Sequence, residues 1–377
     1  MRVLFSCTAS DGHFMPLVPL ARAFVARGDE VVFATAGGFA GRVGGFGFDV
    51  LPAGLTVVEL NERYAPFRER LATIPFDERR AHAFAWRFAG LDAPAKVAGL
   101  LDHARSWAPD LIVHESSDLA APAVATAVEV DSAHHTFGLG LPRVCLDRAV
   151  PALESLWHKL GLEPEPHGGL FRGTYIDVGP PSLMPAEPPA GTHVVPLRPA
   201  TRGSAPAEWQ ERLGGDKPVV YVTLGTHFNG PDRFALLLEA VGAVDCTAVV
   251  TVGADQDPAA LRPPAHMIVE RYIPQADVLP LTDAVVCHGG SGSMLAALAH
   301  GLPLVLLPAG ADQFENAGAC SRAGAAIELR PPSVTVDSIR SAVTSVLEDG
   351  TFAEAAEGLA AEIERMLTPA EVAAILS

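Results

Sequence analysis

Short apolar runs recur along the first half of the chain, each followed by a longer stretch whose apolar positions fall at helical spacing. Residues 2–8 predict a buried strand, 17–27 a helix stopped by Gly28, and 30–35 the next strand. Residues 110–114, 119–128 and 131–135 repeat the cycle as strand, helix and short strand. Strands of this length, separated by helices of about ten residues, predict a parallel, doubly wound α/β sheet. Two stretches break the rhythm. Residues 55–90 are rich in arginine and aromatics, including Tyr64, Phe67, Phe84 and Trp86, and residues 137–171 form a second interruption. Insertions at strand ends commonly wall ligand sites.

Prolines crowd the segment from Pro180 to Pro206. Proline interrupts helix and sheet alike, so a domain boundary is expected near residues 196–215. Beyond it the alternation restarts, with residues 219–224, 247–252, 267–270, 284–287, 304–307 and 325–328 reading as strands. The expected division is an N-terminal domain of residues 1–200 and a C-terminal domain of residues 201–359. The closing helices, residues 352–366 and 369–376, are expected to return to the first domain, over about residues 360–377. At 377 residues and 49% hydrophobic, the chain supports two cores. Two tandem sheets of this kind are expected to bind ligands in a crevice at the carboxyl ends of their strands.

One turn carries the clearest chemistry. His288-Gly289-Gly290-Ser291-Gly292-Ser293 stands between an apolar strand and the helix that begins near Met294. The first turn of a helix offers unbonded N–H groups and the positive end of the helix dipole, and small residues let an anion approach closely. A solvent-facing diphosphate cradle is expected at His288, Gly290, Ser291, Gly292 and Ser293. Asp312 and Gln313 follow the next apolar strand, and their acceptor-rich side chains suit hydroxyl recognition. The bland reading of Asp312 is a helix N-cap. Together the two strand tips suggest a nucleotide-sugar.

The formal charge of −17 argues against nucleic acid and anionic membranes. It leaves room for an anion held by backbone N–H groups. Five cysteines form no CxxC pair and no zinc spacing, which predicts a reduced, cytoplasmic protein. No apolar run reaches the roughly 18 residues of a membrane span, and the N-terminus lacks the core of a signal peptide.

At this point the ordered motifs resemble the GT-B natural-product glycosyltransferases of bacteria, the group that decorates macrolides, aromatic polyketides and enediynes. Gly12-His13-Phe14-Met15-Pro16-Leu17 is similar to that family's first-loop motif. The segment from Tyr175 to Leu183 is similar to its approach to the interdomain linker, and Val222-Thr223-Leu224-Gly225-Thr226 to the first turn of its donor domain. Arg271-Tyr272-Ile273-Pro274-Gln275 resembles its base-recognition turn, and the His288 and Asp312 motifs complete the order. One departure is Cys287-His288, where relatives often carry two histidines.

The resemblance implies two Rossmann-like domains in a GT-B architecture and antibiotic-type secondary metabolism. It implies an inverting transferase that moves a deoxysugar from a dTDP- or UDP-sugar to a hydrophobic aglycone. No metal and no cofactor are implied, since the nucleotide-sugar is a co-substrate; a homodimer is compatible with the sequence. His13 would act as general base, a role its position after the first strand also suits. Glu115 or Asp118, at the tip of the 110–114 strand, would orient it, with Glu115 preferred because it follows the strand directly. Thr226, Ile273, Gln275, His288, Gly290, Ser291, Gly292, Ser293, Asp312 and Gln313 would bind the donor. Phe14, Tyr64, Phe67, Phe84 and His135 would contact the acceptor. Asp255-Gln256-Asp257 superficially matches a metal motif of another transferase fold but reads better as a solvated loop. The rival functions are a non-catalytic nucleotide-sugar-binding partner and a sugar-nucleotide epimerase. A nicotinamide oxidoreductase is discounted, because Ser10-Asp11-Gly12-His13 stands where GxGxxG would be required.

Overall fold

The computed structural model describes residues 1–184, 187–199, 208–213, 215–225, 230–253, 256–264 and 266–377. It divides into two compact units. The first comprises Met1–Gly179, Pro185–Arg198 and Leu367–Ser377; the second comprises Pro180–Met184 and Pro199–Met366. The chain thus passes between them within the proline-rich segment. Of the closing helices, Gly350–Glu364 stays with the second unit, and Pro369–Ile375 joins the first.

The first unit is built on seven parallel strands: β1 (Arg2–Ser6), β2 (Glu30–Thr35), β3 (Asp49–Pro52), β4 (Leu111–Glu115), β5 (Asp131–His135), β6 (Thr174–Asp177) and β7 (His193–Pro196). Their order is β3-β2-β1-β4-β5-β6-β7. The chain winds outward from β1 to β3 and then restarts at β4, on the other side of β1. That reversal makes the carboxyl ends of β1 and β4 the switch point where such sheets bind ligands. Burial explains why β1 and β4 read so plainly in the sequence: Val3, Leu4, Phe5, Ile112 and Val113 are all fully buried. The short strands β3, β6 and β7 did not stand out in the hydrophobic pattern. Leu367–Ser377 is fastened here by a bridge from Leu197 to Leu367 and by Arg27, which donates to the Ala373 carbonyl at 2.6 Å.

The two interruptions are mostly helical. Residues 55–90 fold as Val57–Ala72, opened by a Thr56/Glu59 capping box, then Arg79–Phe84 and a π-helix, Ala85–Asp92. The helix Ala93–Trp107 follows directly. The second contains the helix Arg143–Lys159, whose Leu146, Ala149, Leu153 and Trp157 join the core.

The second unit repeats the plan with six parallel strands: β8 (Val219–Thr223), β9 (Thr247–Thr251), β10 (Ile268–Glu270), β11 (Ala284–Cys287), β12 (Leu304–Leu306) and β13 (Ala326–Glu328). Their order is β10-β9-β8-β11-β12-β13, so the switch point falls between β8 and β11. Val220, Val222, Phe234, Val286, Val305 and Val343 belong to its core.

Candidate active site

His13 follows β1 in a four-residue helix, Asp11–Phe14. Its Nδ1 lies 3.1 Å from Glu115 Oε2 at the tip of β4. Asp118, the other carboxylate the sequence offered, is instead paired with Lys96 at 2.6 Å. The Glu115 side chain is fully buried, while that of His13 keeps 18% exposure. Three further donors would be needed to satisfy a buried carboxylate completely, and two backbone groups serve: Thr8 N–H donates to Oε1 at 3.1 Å and Ser117 N–H to Oε2 at 2.6 Å. Burial alone pushes this carboxyl's pKa up. His13 and the two N–H groups more than offset that and hold it at about 2. An ionised carboxylate facing Nδ1 places the ring proton there and leaves the lone pair on Nε2, the tautomer a general base requires.

Two rings flank the imidazole that the sequence reading passed over. Phe137 lies with its centroid 4.8 Å from that of His13, and Phe88 of the π-helix at 5.8 Å. Both are half-buried. The available signal was position: Phe137 comes two residues after the end of β5, beside the switch point.

The other aromatic candidates divide. Phe14 is fully buried, packed edge-on against Phe33, Phe39 and Phe46. Phe84 is buried in the main core of the unit. Both rings serve packing and present no open face to an acceptor. Tyr64 is buried, stacked on half-buried Phe67 at 6.0 Å, and Phe67 in turn meets Trp86 at 5.2 Å. His135 is fully buried, with Nδ1 2.6 Å from the Thr136 carbonyl. Burial holds its pKa down at about 4, so it is a neutral interior histidine.

In the second unit, His288 stands at the tip of β11, the position at this switch point that corresponds to Glu115 in the first. Glycine makes room for it. A Cβ on Gly290 would meet His288 Nε2 at 2.4 Å, and one on Gly225, which follows β8, would meet Cε1 at 2.7 Å. Gly289 has φ +79, which strongly favours glycine. The helix Ser291–Ala299 starts at once, with Gly290 as its N-cap residue. Its first N–H groups have no intrahelical acceptor, and a Cβ on Gly292 would point into open space.

Ser291 departs from the expected solvent-facing role. It is buried, and its hydroxyl donates to Asp312 Oδ2 at 2.6 Å. Asp312 stands at the N-cap position but makes no side-chain capping bond, because its carboxylate is turned to Ser291. Asn316, unassigned from the sequence, completes the tie: Nδ2 donates to the Gly289 carbonyl at 2.9 Å and lies 3.0 Å from Asp312 Oδ2. Its place one helical turn after Asp312 was the signal that could have found it. Gln313 is also buried; Oε1 accepts from Ala309 and Gly310 N–H groups at 2.8 and 3.2 Å, so that oxygen shapes the turn.

Gln275 Nε2 donates to Ser293 Oγ at 2.8 Å, joining the base-recognition turn to the glycine turn. The side chain of Ile273 is buried, leaving only its backbone to read a base, while the neighbouring Tyr272 is 76% exposed. Thr226 lies outside the described residues, as do His227, Asn229 and Asp255. Asp257 accepts from Ala259 N–H at 3.3 Å and opens a short 3₁₀ turn. Among the described residues, no cluster of three or more His, Cys, Asp or Glu side chains is arranged for a metal ion, and no helix is long and apolar enough to cross a membrane.

Comparison with known proteins agrees with this layout. The chain is 34% identical to the elloramycin glycosyltransferase ElmGT of Streptomyces olivaceus, over 100% of this chain and 97% of that protein. It is 33% identical to the L-demethylnoviosyl transferase of Streptomyces niveus, over 99% and 97%. The crystal structure of the glycosyltransferase SsfS6 from Streptomyces sp. SF2575, complexed with thymidine diphosphate, superposes with a TM-score of 0.79 at 26% identity, covering 100% of this chain and 99% of that one. Residues 22–225 match the N-terminal domain of the erythromycin biosynthesis protein CIII-like family, and residues 235–377 match its C-terminal domain. The chain therefore belongs to the erythromycin biosynthesis protein CIII-like family of natural-product glycosyltransferases and is a sugar-transferring enzyme of the GT-B fold.

Proposed function

We propose that the enzyme moves a deoxysugar from a dTDP- or UDP-linked donor to a hydrophobic aglycone in a single inverting displacement, with His13 as general base. The observation that carries this reading is the 3.1 Å contact between His13 and the fully buried Glu115 carboxylate. Imidazole so held takes the proton of an acceptor hydroxyl on Nε2. The acceptor oxygen attacks the anomeric carbon as the bond to the diphosphate breaks on the opposite face. Phe88 and Phe137 supply the apolar surface beside the base. The thymidine diphosphate bound by SsfS6 and the sugar named for the L-demethylnoviosyl transferase support the donor class.

The second unit holds the donor. Backbone N–H groups of Ser291, Gly292 and Ser293, with His288, stabilise the charge that builds on the leaving diphosphate, so no metal and no cofactor enter the reaction. Asp312 and Gln313 remain the candidates for the sugar hydroxyls, and exposed Tyr272 is better placed than Ile273 to cover the base. All five cysteines are buried and free of disulfides, which supports a cytoplasmic setting.

The test is transfer by the purified chain alone. dTDP- and UDP-sugars are offered with a panel of polyketide-like aglycones, and product mass is followed with and without EDTA. Glycoside should form at the same rate in both arms. Strict dependence on magnesium or manganese would overturn the metal-free reading, and absence of transfer without a second protein would favour a supporting role.

A further inference from the structure

Behind His13 and Glu115 lies a buried ion pair that the transfer chemistry does not consume. Lys96 and Asp118 are each 2% exposed, with Nζ 2.6 Å from Oδ2. Among the described residues, Lys96 is the only buried lysine or arginine. Such a pair needs a reason beyond stability, since apolar residues of similar volume often replace one without loss.

Its contacts suggest the reason. Lys96 Nζ also donates to the Cys7 carbonyl at 2.9 Å. Cys7 precedes Thr8, whose N–H holds one oxygen of Glu115; Asp118 follows Ser117, whose N–H holds the other. One ammonium therefore ties together the two turns that grip the carboxylate. It is also the fully buried cation that faces a cluster of acids. Asp92 closes the π-helix and accepts from Thr8 Oγ1 at 3.3 Å, and Glu115 and Asp118 come from the end of β4.

We infer that Lys96 is a positioning residue for sugar transfer: it locks the Cys7–Thr8 turn against the Ser117–Asp118 turn and balances the acids behind His13. The inference rests on His13 being the base. The other groups that bear on these charges are the Cys7 thiol after β1, Arg87 on the π-helix toward Asp92, His114 on β4, and His134 and His135 on β5. Burial pushes the thiol up to about 12 and lowers the three imidazoles, so all four stay neutral near pH 7. Losing the ammonium leaves uncompensated negative charge near His13, which favours the imidazolium and moves its titration upward.

The experiment pairs Lys96→Met with the charge-balanced Lys96→Met/Asp118→Asn. It reads the NMR titration of the His13 ring, the pH profile of turnover, and affinity for thymidine diphosphate. In Lys96→Met the His13 midpoint should rise by about half a pH unit or more, turnover at pH 7 should fall roughly tenfold, and nucleotide affinity should hold. In the double variant the midpoint should return toward its native value, while turnover stays low because the tie to Cys7 is missing. A native His13 midpoint in folded Lys96→Met would overturn the inference, whatever the turnover. Where that variant does not fold, native turnover in the double variant overturns it. The titration needs no acceptor, so the two readings separate. A native midpoint sinks the role of Lys96 whatever the base is. A shifted midpoint with full turnover in His13→Ala sinks the base and leaves the hold of Lys96 on the imidazole standing.

Discussion

Each unit places a histidine-bearing turn at the switch point of its sheet, His13 after β1 and His288 after β11, and the two are held by opposite means. In the first unit His13 is oriented by charge: a buried carboxylate, two N–H donors and a lysine–aspartate pair behind them. In the second, His288 is fitted by shape between Gly225 and Gly290, and the turn beside it is tied by Ser291, Asp312 and Asn316. The difference follows from the tasks proposed for them. A base must keep one tautomer and change protonation during each cycle, so a fixed countercharge serves it. A diphosphate cradle must admit a doubly charged ligand against bare backbone, so glycines keep Cβ atoms out of it and the neighbouring Asp312 carboxylate is engaged by Ser291 and Asn316. Fold alone does not dictate either solution.

The sharpest way to break the comparison is to remove each device. His13→Ala should lower turnover roughly 10²–10⁴-fold and leave thymidine diphosphate affinity unchanged, with Glu115→Gln giving a smaller loss. Full turnover of His13→Ala with a hydroxyl acceptor at neutral pH would end the proposed mechanism. Gly292→Asp addresses the other unit. Its side chain enters open space, and an acid in a first helical turn is ordinarily stabilising, so the melting temperature should hold or rise. Nucleotide affinity should nevertheless fall about 100-fold, from a like-charge repulsion of roughly 3 kcal/mol at an effective dielectric near 20. Unchanged affinity by calorimetry would mean that no diphosphate sits there.

A finer probe is Gly290→Ala, which adds a methyl 2.4 Å from His288 Nε2 and obliges the ring to move. Nucleotide affinity should drop about tenfold, with turnover at saturating donor less affected; native affinity would show that the ring has room to spare.

The smallest expected effect separates the units by pH. His114, His134 and His135 are buried beside the first site, and burial depresses all three, His135 to about 4. The unfolded chain binds these protons more readily, so stability is fully present above about pH 6.5 and is lost as pH falls toward 4. Asp177 opposes the trend. Burial raises its pKa to about 7, so its protonation on folding adds stability over the same descent. Melting curves from pH 7 to 4.5 should show a downward slope that steepens in Asp177→Asn. A flat profile in both proteins would mean that these imidazoles are not held neutral.

The sequence by itself determined the repeat of strand and helix, the proline-rich crossing and the glycine turn, because each is written in neighbouring residues. Period, β-branched runs and glycine are local signals, and His13 and His288 were legible because each lies directly beside such a signal. Tertiary structure decided what local pattern does not carry. Glu115 and not Asp118 meets His13 because parallel pairing sets β4 beside β1, across more than a hundred residues of chain. Packing over similar distances brings Lys96 to Cys7 and Phe137 to His13 in the first unit, and Asn316 to Gly289 in the second. Phe14 looked from the sequence like a ligand contact beside the base, and only the packing of Phe33, Phe39 and Phe46 around it made it core. Burial and long-range proximity arise from the assembled sheet, and the choice between two nearby carboxylates or two nearby rings is made there.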